Sequence, residues 1–561
     1  MSMRTRKHSG RLELTWTNKR LRLLAHRNEG YEWVPPHDYR VSEVRLLRDA
    51  ALVGRTRAAD SRSSDNLLIR GDALNALVSL SELPEFASEY VGRVRLAYID
   101  PPFNTGQAFE DYDDNLEHSV WLTMIRDRLV QIRRLLSEDG SVWLHLDDVQ
   151  MHRARCVLDE VFGASNFVAN VIWQKTYTRE NRTDISISHD NVIVYAVNKP
   201  LWKKARNLLP PSEAQRSRYS NPDSDPRGDW ASMPVHAKAG KGRREEQFFT
   251  ITLPSGRHVD PPPGRCWLYK PERYEEMVAD ERIWFGEDGD SQPRLKKFWS
   301  EVQPGLVPTS IWPYDEVGTT GTAKSEILAL SPDLTPFSTP KPEALIQRIL
   351  HVASNPGDVV LDCFLGSGTT AAVAHKMGRR WIGVEWLEDT VRDFALPRLG
   401  RVVEGDDSGG VTDLTGWRGG GGFRVVDVAP SMFEESDGVV YLSDWAVNGA
   451  LAEATAAQLG FAYLPEHPFV GRKGRSRLAV VDGHVSSAVS DLLAGALGSR
   501  ETLVICATSV DPTVREHVQA AAPGSVVRKI PASILAEYRV NYRERRRLEL
   551  ARSEEPEEAS T

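Results

Sequence analysis

The stretch DVVLDCFLGSGTTAAVAHKMGRRWIGVE, Asp358 to Glu385, decides the fold. It opens on a short apolar run, passes through a loop holding Gly366 and Gly368, continues in good helix formers, and returns to an apolar run ending on Glu385. Short apolar runs bounded by glycine read as buried strands, so the unit is strand, glycine loop, helix, strand. Such a unit belongs to a parallel sheet. The glycines let backbone amides approach a ligand where a Cβ would collide. Glu385 stands about twenty residues past the loop, where an acid holds ribose hydroxyls in a nucleotide-type site. The loop lacks the full G-x-G-x-x-G pattern, because Thr369, Thr370 and Ala371 follow Gly368. It therefore suits a nucleoside cofactor without a pyrophosphate better than a dinucleotide.

The same alternation runs upstream. NLLIRGD is a short strand and ALNALVSLSEL a helix; VRLAYID is a strand. HSVWLTMIRDRLVQIRRLLSEDG has apolar residues at helical spacing, with Gly140 as its expected C-cap. SVWLHLDD reads as a strand and VQMHRARCVLDEVFG as a helix. After one more strand, NVIVYAV, regularity fails until about residue 335, in segments rich in Pro, Gly, Arg and scattered aromatics. STPKPEALIQRILHVAS then opens a helix before the glycine unit. GTTGTAKS (Gly318 to Ser325) has Ala323 where a P-loop needs its second glycine, and reads as a loop. Past DDSGGVTDLTGWRGGGG the strands RLAVVDG and ETLVICA indicate a separate α/β module.

Composition bounds the class. The 561 residues imply several domains. With 41% hydrophobic and 26% charged residues the chain reads as soluble and globular. No stretch approaches the roughly 20 apolar residues that cross a bilayer, so no membrane association is expected. MSMRTRKHSG has no apolar core behind it and does not read as a signal peptide. Cys156, Cys266, Cys363 and Cys506 lie far apart without a CxxC pair, which points to a reducing cytoplasm and to no metal site. The formal net charge of −8 does not advertise a nucleic-acid binder, but local patches outweigh the sum.

A second stretch carries chemistry. YIDPPFNTG, Tyr98 to Gly106, ends an apolar run on Asp100 and stiffens the next two positions with proline. Proline cannot donate to a sheet ladder, so the strand stops there. The turn is either purely structural or holds Asp100, a proline carbonyl and Phe103 still around something flat and polar.

Together, Asp100-Pro101-Pro102-Phe103 and Phe364-Leu365-Gly366-Ser367-Gly368 resemble the two motifs of the amino-methyltransferases that act on exocyclic amines in DNA. The acidic-Pro-Pro-aromatic motif precedes the irregular insertion, and the FxGxG motif follows it. That is the permuted order of the β group. With NLLIRGDALNAL, ISHDNVIVYA and STPKPEALIQRIL in sequence, residues 66 to 400 look most like modification subunits of type III restriction systems and their stand-alone relatives. The stretch GWRGGGGFRVVDVAPSMFE resembles, more loosely, the close of that family's methyltransferase core.

The resemblance implies an α/β, Rossmann-like class I S-adenosylmethionine-dependent methyltransferase fold with circularly permuted motif order. The expected parts are an N-terminal arm (1–65), a catalytic part (66–200), a target-recognition insertion (201–335), a cofactor-binding part (336–410), a small α/β C-terminal module (423–545) and a disordered tail (546–561). It implies methyl transfer from S-adenosyl-L-methionine to the N6 amine of an adenine flipped out of double-stranded DNA. The exocyclic amine is a poor nucleophile because its lone pair is delocalised into the ring. Acceptors on its two N–H bonds, the Asp100 carboxylate and the Pro101 carbonyl, favour a more nucleophilic nitrogen; Pro101 and Pro102 fix the geometry, and Phe103 stacks on the base. Phe103 replaces the family's commoner Tyr and keeps the stacking face. By the same resemblance Asp100, rather than Ser, favours adenine N6 over cytosine N4. No cysteine follows a proline, so C5 chemistry is not indicated.

For the cofactor, Phe364, Gly366, Ser367, Gly368 and Thr369 form the loop, and Glu385 faces the ribose. Asp362 is placed to face the methionine amino group or to cap the loop amides. Asp72 is placed to accept from the cofactor's adenine amine or to cap the next helix. Thr339 and Lys341 match the family's cofactor segment or form a solvated helix start. Asn104 lines the base pocket or merely forms the turn. Lys203, Lys204, Arg206, Lys238, Lys241, Arg243, Arg244, Arg294, Lys296 and Lys297, with Trp230, Trp267, Trp284 and Trp299 between them, are candidates for DNA contact or a solvated surface. NYRERRRLEL (Asn541 to Leu550) is a basic amphipathic helix candidate. The family implies a homodimer and a possible restriction (helicase-nuclease) subunit in a restriction-modification or other phage-defence system. The alternatives are a cytosine-N4 methyltransferase and a non-catalytic DNA-recognition subunit.

Overall fold

The computed structural model describes residues 13–26, 30–56, 62–103, 117–211, 213–239, 245–301, 305–330, 337, 339–536 and 538. Asn104, Lys241, Arg243, Arg244, NYRERRRLEL and the C-terminal tail lie outside them.

A ten-stranded sheet is built from β1 (Leu47–Gly54), β2 (Asn66–Arg70), β3 (Val94–Ile99), β4 (Leu136–Leu146), β5 (Phe167–Gln174), β6 (His189–Ala196), β7 (Ile311–Trp312), β8 (Val359–Asp362), β9 (Arg380–Glu385) and β10 (Gly422–Val428). Its spatial order is β7-β5-β6-β4-β3-β8-β9-β2-β10-β1. The six strands from β4 to β10 are mutually parallel. β6 runs antiparallel to both neighbours, and β1 antiparallel to β10. Parallel strands covered on both faces need near-continuous apolar runs, and every residue of β3 is buried. Its one charge, Arg95, is paired with Asp139.

The chain leaves β3 toward β4 on one side and leaves β8 toward β9 on the other. The direction of winding therefore switches between β3 and β8, and a crevice opens at their carboxyl ends. Behind the glycine loop, α4 (Glu343–Ala353), α5 (Thr369–Lys376) and α6 (Leu396–Glu404) are joined by buried charge. Glu343 accepts from Lys376 and from Arg398, each at 2.8 Å, and Arg398 also donates to Thr369 Oγ1 at 2.8 Å. Burial raises the Glu343 pKa, but Arg398 and Lys376 outweigh it and hold the group ionised.

Several expectations change. Gly140 is not a helix C-cap: α2 (His118–Leu135) ends five residues earlier, its last carbonyls taken by the Gly92 and Arg93 amides, and Gly140 lies inside β4. A Cβ there would come within 3.0 Å of the Val94 carbonyl oxygen, so close strand approach explains the glycine. GTTGTAKS is not a loop, because Thr320–Leu330 is helical. The N-terminal segment is not only an arm, since β1 is the antiparallel edge of the main sheet. The residues from 423 onward do not start a separate module: β10 is bonded on both sides within that sheet. A further five-stranded sheet spans Ala462–Lys529, and its Leu478 and Cys506 share one hydrophobic core with β2 and β3.

The second compact unit is Leu208–Pro308, narrower than the expected 201–335. It has its own small core around Val235, Trp267, Tyr274 and Ile283. Lys296 in this unit does not face outward. It is 4% exposed and paired with Asp223 and Asp225, with Trp230 and Trp284 around it. Trp230 and Trp267 are likewise buried. Among the described residues, no helix is long and apolar enough to cross a membrane.

Candidate active site

Two motifs that start 264 positions apart, at Asp100 and Phe364, meet because β3 and β8 are hydrogen-bonded neighbours. Their carboxyl ends deliver Asp100 and Asp362 to one cleft. It is lined by Asp100, Pro101, Pro102 and Phe103 of the first motif and by Asp362, Phe364, Gly366, Ser367 and Thr369 of the second. Thr339, Lys341 and Glu385 complete it.

The structure gives Gly368 and Asp72 other places. Gly368 has φ +83° and caps α5, with Ala395 packed behind it, so it shapes the turn rather than the cleft wall. Of the two roles open to Asp72, it takes the helix cap. One oxygen accepts from the Leu74 and Asn75 amides at 2.9 and 3.0 Å, and the other from Arg128 at 2.7 Å. It lines a neighbouring pocket with Arg128 and Trp386.

The acidic turn is held from below. The Trp121 indole donates to the Pro102 carbonyl at 2.7 Å, so that carbonyl is already committed. One side of the Phe103 ring packs near-parallel on His145, with centroids 5.9 Å apart and an interplanar angle of 21°. His145 is fully buried; its Nδ1 is 2.9 Å from the Tyr98 hydroxyl and its Nε2 3.3 Å from Asp190. Lys175 donates to the second oxygen of Asp190 at 2.7 Å. Burial alone would raise the Asp190 pKa, but His145 and Lys175 hold it down at about 2. Burial, with Asp100, Asp362 and Asp190 nearby, keeps the Tyr98 phenol protonated far above its ordinary range.

On the cofactor side, Glu385 accepts from three backbone amides: Gly366 at 2.8 Å, Trp386 at 2.9 Å and Leu387 at 3.0 Å. Burial still raises its pKa against those bonds. Asp362 accepts from the Phe364 amide at 3.0 Å, which is the loop-capping role. Burial, reinforced by Asp100 and Glu385, pushes its pKa up to about 7 despite that bond. Lys341 is 6% exposed and donates to Asp100 Oδ2 at 2.5 Å. Its ammonium lies 5.1 Å from the Phe103 ring centroid. Among the described residues, Asp100 Oδ1 is buried without a hydrogen-bond partner, and three carboxylates share the cleft with one lysine. That arrangement favours a ligand carrying positive charge.

The sequence reading did not single out His145, Asp190, Trp121 or Phe337. For His145 and Asp190 a signal was present. Both are ionisable residues in or beside apolar strand runs, SVWLHLDD and ISHDNVIVYA, where a buried polar group needs a partner. Trp121 and Phe337 look like ordinary apolar residues and carried none.

The DNA methylase family matches residues 94–395, more than half of the chain, and the match includes both motifs and the insertion between them. The chain belongs to the DNA methylase family. As a family member it is 31% identical over 344 residues to the type III restriction-modification enzyme StyLTI Mod subunit of Salmonella typhimurium, covering 56% of this chain and 50% of that one. It is 27% identical over 430 residues to the probable type III restriction-modification enzyme HindVI Mod subunit of Haemophilus influenzae, covering 67% and 55%. This methylase-family chain spans about half the length of those curated relatives. Among solved structures, the PvuII DNA methyltransferase (cytosine-N4-specific) aligns with a TM-score of 0.33 and 14% identity over 62% of this chain and 89% of that one.

Proposed function

We propose that this chain is a site-specific DNA methyltransferase that moves a methyl group from S-adenosylmethionine to the N6 amine of an adenine flipped out of double-stranded DNA. The observation that carries the reading is the meeting of the Asp100 turn and the Gly366 loop in one cleft at the switch point of the sheet. S-adenosylmethionine supplies a methyl group on a sulfonium centre. Its positive charge fits the carboxylate-rich cleft, and its lack of a pyrophosphate fits the short glycine loop. Asp362 and Glu385 hold the cofactor's amino and ribose groups in this reading, with Phe364, Ser367, Thr369 and Thr339 lining its path.

Asp100 and the Pro101 carbonyl accept from the target amine, and Phe103 stacks on the base with His145 backing the ring. The amine loses one proton as it gains the methyl group, and the Asp100 carboxylate is the acceptor at hand. Positioning of the amine against the methyl group supplies most of the acceleration.

The named relatives are modification subunits of type III systems, which supports a place in a restriction-modification or other phage-defence system. A homodimer, a restriction (helicase-nuclease) partner and a cytoplasmic location belong to that reading. Single-molecule sequencing of DNA from cells expressing the wild-type chain and Asp100→Ala tests it. Modified adenine in one sequence context, lost in the variant, is expected. Modified cytosine instead moves the reading to N4 chemistry. No modified base in either sample, with the folded protein still binding S-adenosylhomocysteine, means a missing partner or a wrong substrate assignment; a folded protein that binds no S-adenosylhomocysteine favours a DNA-recognition subunit.

A further inference from the structure

Lys341 occupies the place that the target amine needs. Its ammonium touches the Asp100 carboxylate at 2.5 Å and sits 5.1 Å from the centre of the Phe103 ring, so one cation engages both groups that would receive the base. A base that donates to the same carboxylate oxygen and stacks on the Phe103 ring competes with the ammonium for both. Pro340 and Pro342 flank Lys341 and fix their own φ angles, which stiffens the backbone there. The flexible four-carbon side chain is the part that withdraws most readily.

A withdrawn ammonium, 6% exposed, needs another anion. Among the described residues, the carboxylates nearby already hold partners. Glu385 accepts from three backbone amides, Asp362 accepts from the Phe364 amide, and both oxygens of Asp190 are taken by His145 and Lys175. The cleft that Lys341 shares with the glycine loop is where an anion brought by a ligand would meet the ammonium.

We propose that Lys341 is a gate: it holds the base site closed by pairing with Asp100, and the carboxylate of the bound cofactor draws it away. The inference rests on the methyltransferase reading and adds an order to it, cofactor before base. Cofactor occupancy and base entry are then coupled through one side chain, and the coupling can be no larger than the difference in Lys341's interactions between the two states.

The test uses the full chain and a duplex carrying the sequence found by sequencing, with 2-aminopurine beside the target adenine. This probe brightens when the adenine leaves the stack. S-adenosylhomocysteine supplies the carboxylate without a transferable methyl group, and 5′-methylthioadenosine lacks the carboxylate. The wild type should brighten with S-adenosylhomocysteine only, with a flipping equilibrium shifted by about 5- to 150-fold. Lys341→Met and Lys341→Gln should brighten without any cofactor, while Lys341→Arg should keep the dependence. A wild type bright without cofactor overturns the gate. So does equal brightening with 5′-methylthioadenosine, or a neutral variant that binds S-adenosylhomocysteine yet still needs it for flipping. Cellular DNA without methylated adenine overturns the adenine reading on which the gate rests, before any duplex is made; a duplex dark in every case, with methylated adenine present, overturns only the gate.

Discussion

Glu385 at the end of β9 accepts from the Gly366 amide in the loop that follows β8, 2.8 Å away, so one carboxylate ties a strand end to the neighbouring glycine loop. The same side chain also holds the Trp386 and Leu387 amides. It thus shapes the glycine loop before any ligand arrives. Glu385→Gln keeps one acceptor oxygen and loses the charge. S-adenosylhomocysteine affinity should fall by about tenfold or more, the equivalent of roughly 1.4 kcal/mol, measured by titration calorimetry. An unchanged affinity would remove Glu385 from the cofactor site.

Asp100→Asn replaces a carboxylate by an amide of the same size. The acceptor for the target amine weakens, and Lys341 loses its counter-ion. Turnover should drop by roughly 100- to 1000-fold, the scale seen when one aligned electrostatic partner is removed. S-adenosylhomocysteine binding should persist. Equal loss of cofactor binding would show that Asp100 serves the fold of the cleft rather than the reaction.

Asp362 and Asp190 titrate in opposite senses. The Asp362 pKa is raised to about 7, first by burial. Its contribution to stability is therefore present at low pH and is lost as pH rises from about 4 through 7. A cationic ligand favours the ionised form, so cofactor binding should release a proton and tighten as pH rises toward 7. Calorimetry in two buffers of different ionisation heat reads the proton directly, and Asp362→Asn should abolish it.

The Asp190 pKa is held at about 2, burial being outweighed by His145 and Lys175. Its stabilisation is present above about pH 4 and is lost as pH falls through 2. Asp190→Asn should lower the unfolding midpoint at pH 7 and flatten its acid dependence below pH 4. His145→Ala removes the ring under Phe103 and leaves Asp190 and Tyr98 each short of one buried hydrogen-bond partner, at a cost of about 1–3 kcal/mol for each such group. Thermal unfolding followed by circular dichroism across that pH range is the measurement.

Gly366 and Gly368 both have positive φ, +51° and +83°, but differ in surroundings. A Cβ on Gly366 would lie 3.2 Å from the Phe337 ring at the cleft wall, while one on Gly368 would face Ala395 at 3.4 Å. Each alanine substitution costs about 1–2 kcal/mol in backbone strain. Gly366→Ala should in addition weaken S-adenosylhomocysteine binding, whereas Gly368→Ala should chiefly lower the unfolding temperature. Equal effects on binding would contradict the separation of the two roles.

Much of the fold lay in local patterns. Buried parallel strands need continuous apolar runs, and a helix that follows one through Gly366 and Gly368 needs a tight turn, so the glycine unit and the β3 turn read directly from residue type. The edges did not. β1 and β10 belong to the sheet because each finds a partner far away in sequence, and Gly140 answers to the carbonyl of a neighbouring strand rather than to its own helix.

The sequence by itself determined the two motifs, their order, and the residue types that can grip a cofactor and an amine. Only the tertiary structure decided what those residues do to one another. Pairing of β3 with β8 brings Asp100 and Asp362 into one electrostatic neighbourhood, where Asp100 adds to the cost that burial puts on ionising Asp362. The tertiary structure also sets Lys341 against Asp100, places His145 beneath Phe103, and gives the second oxygen of Asp72 to Arg128. Charge interactions depend on distance and burial, and neither is written in the spacing of residues along a chain.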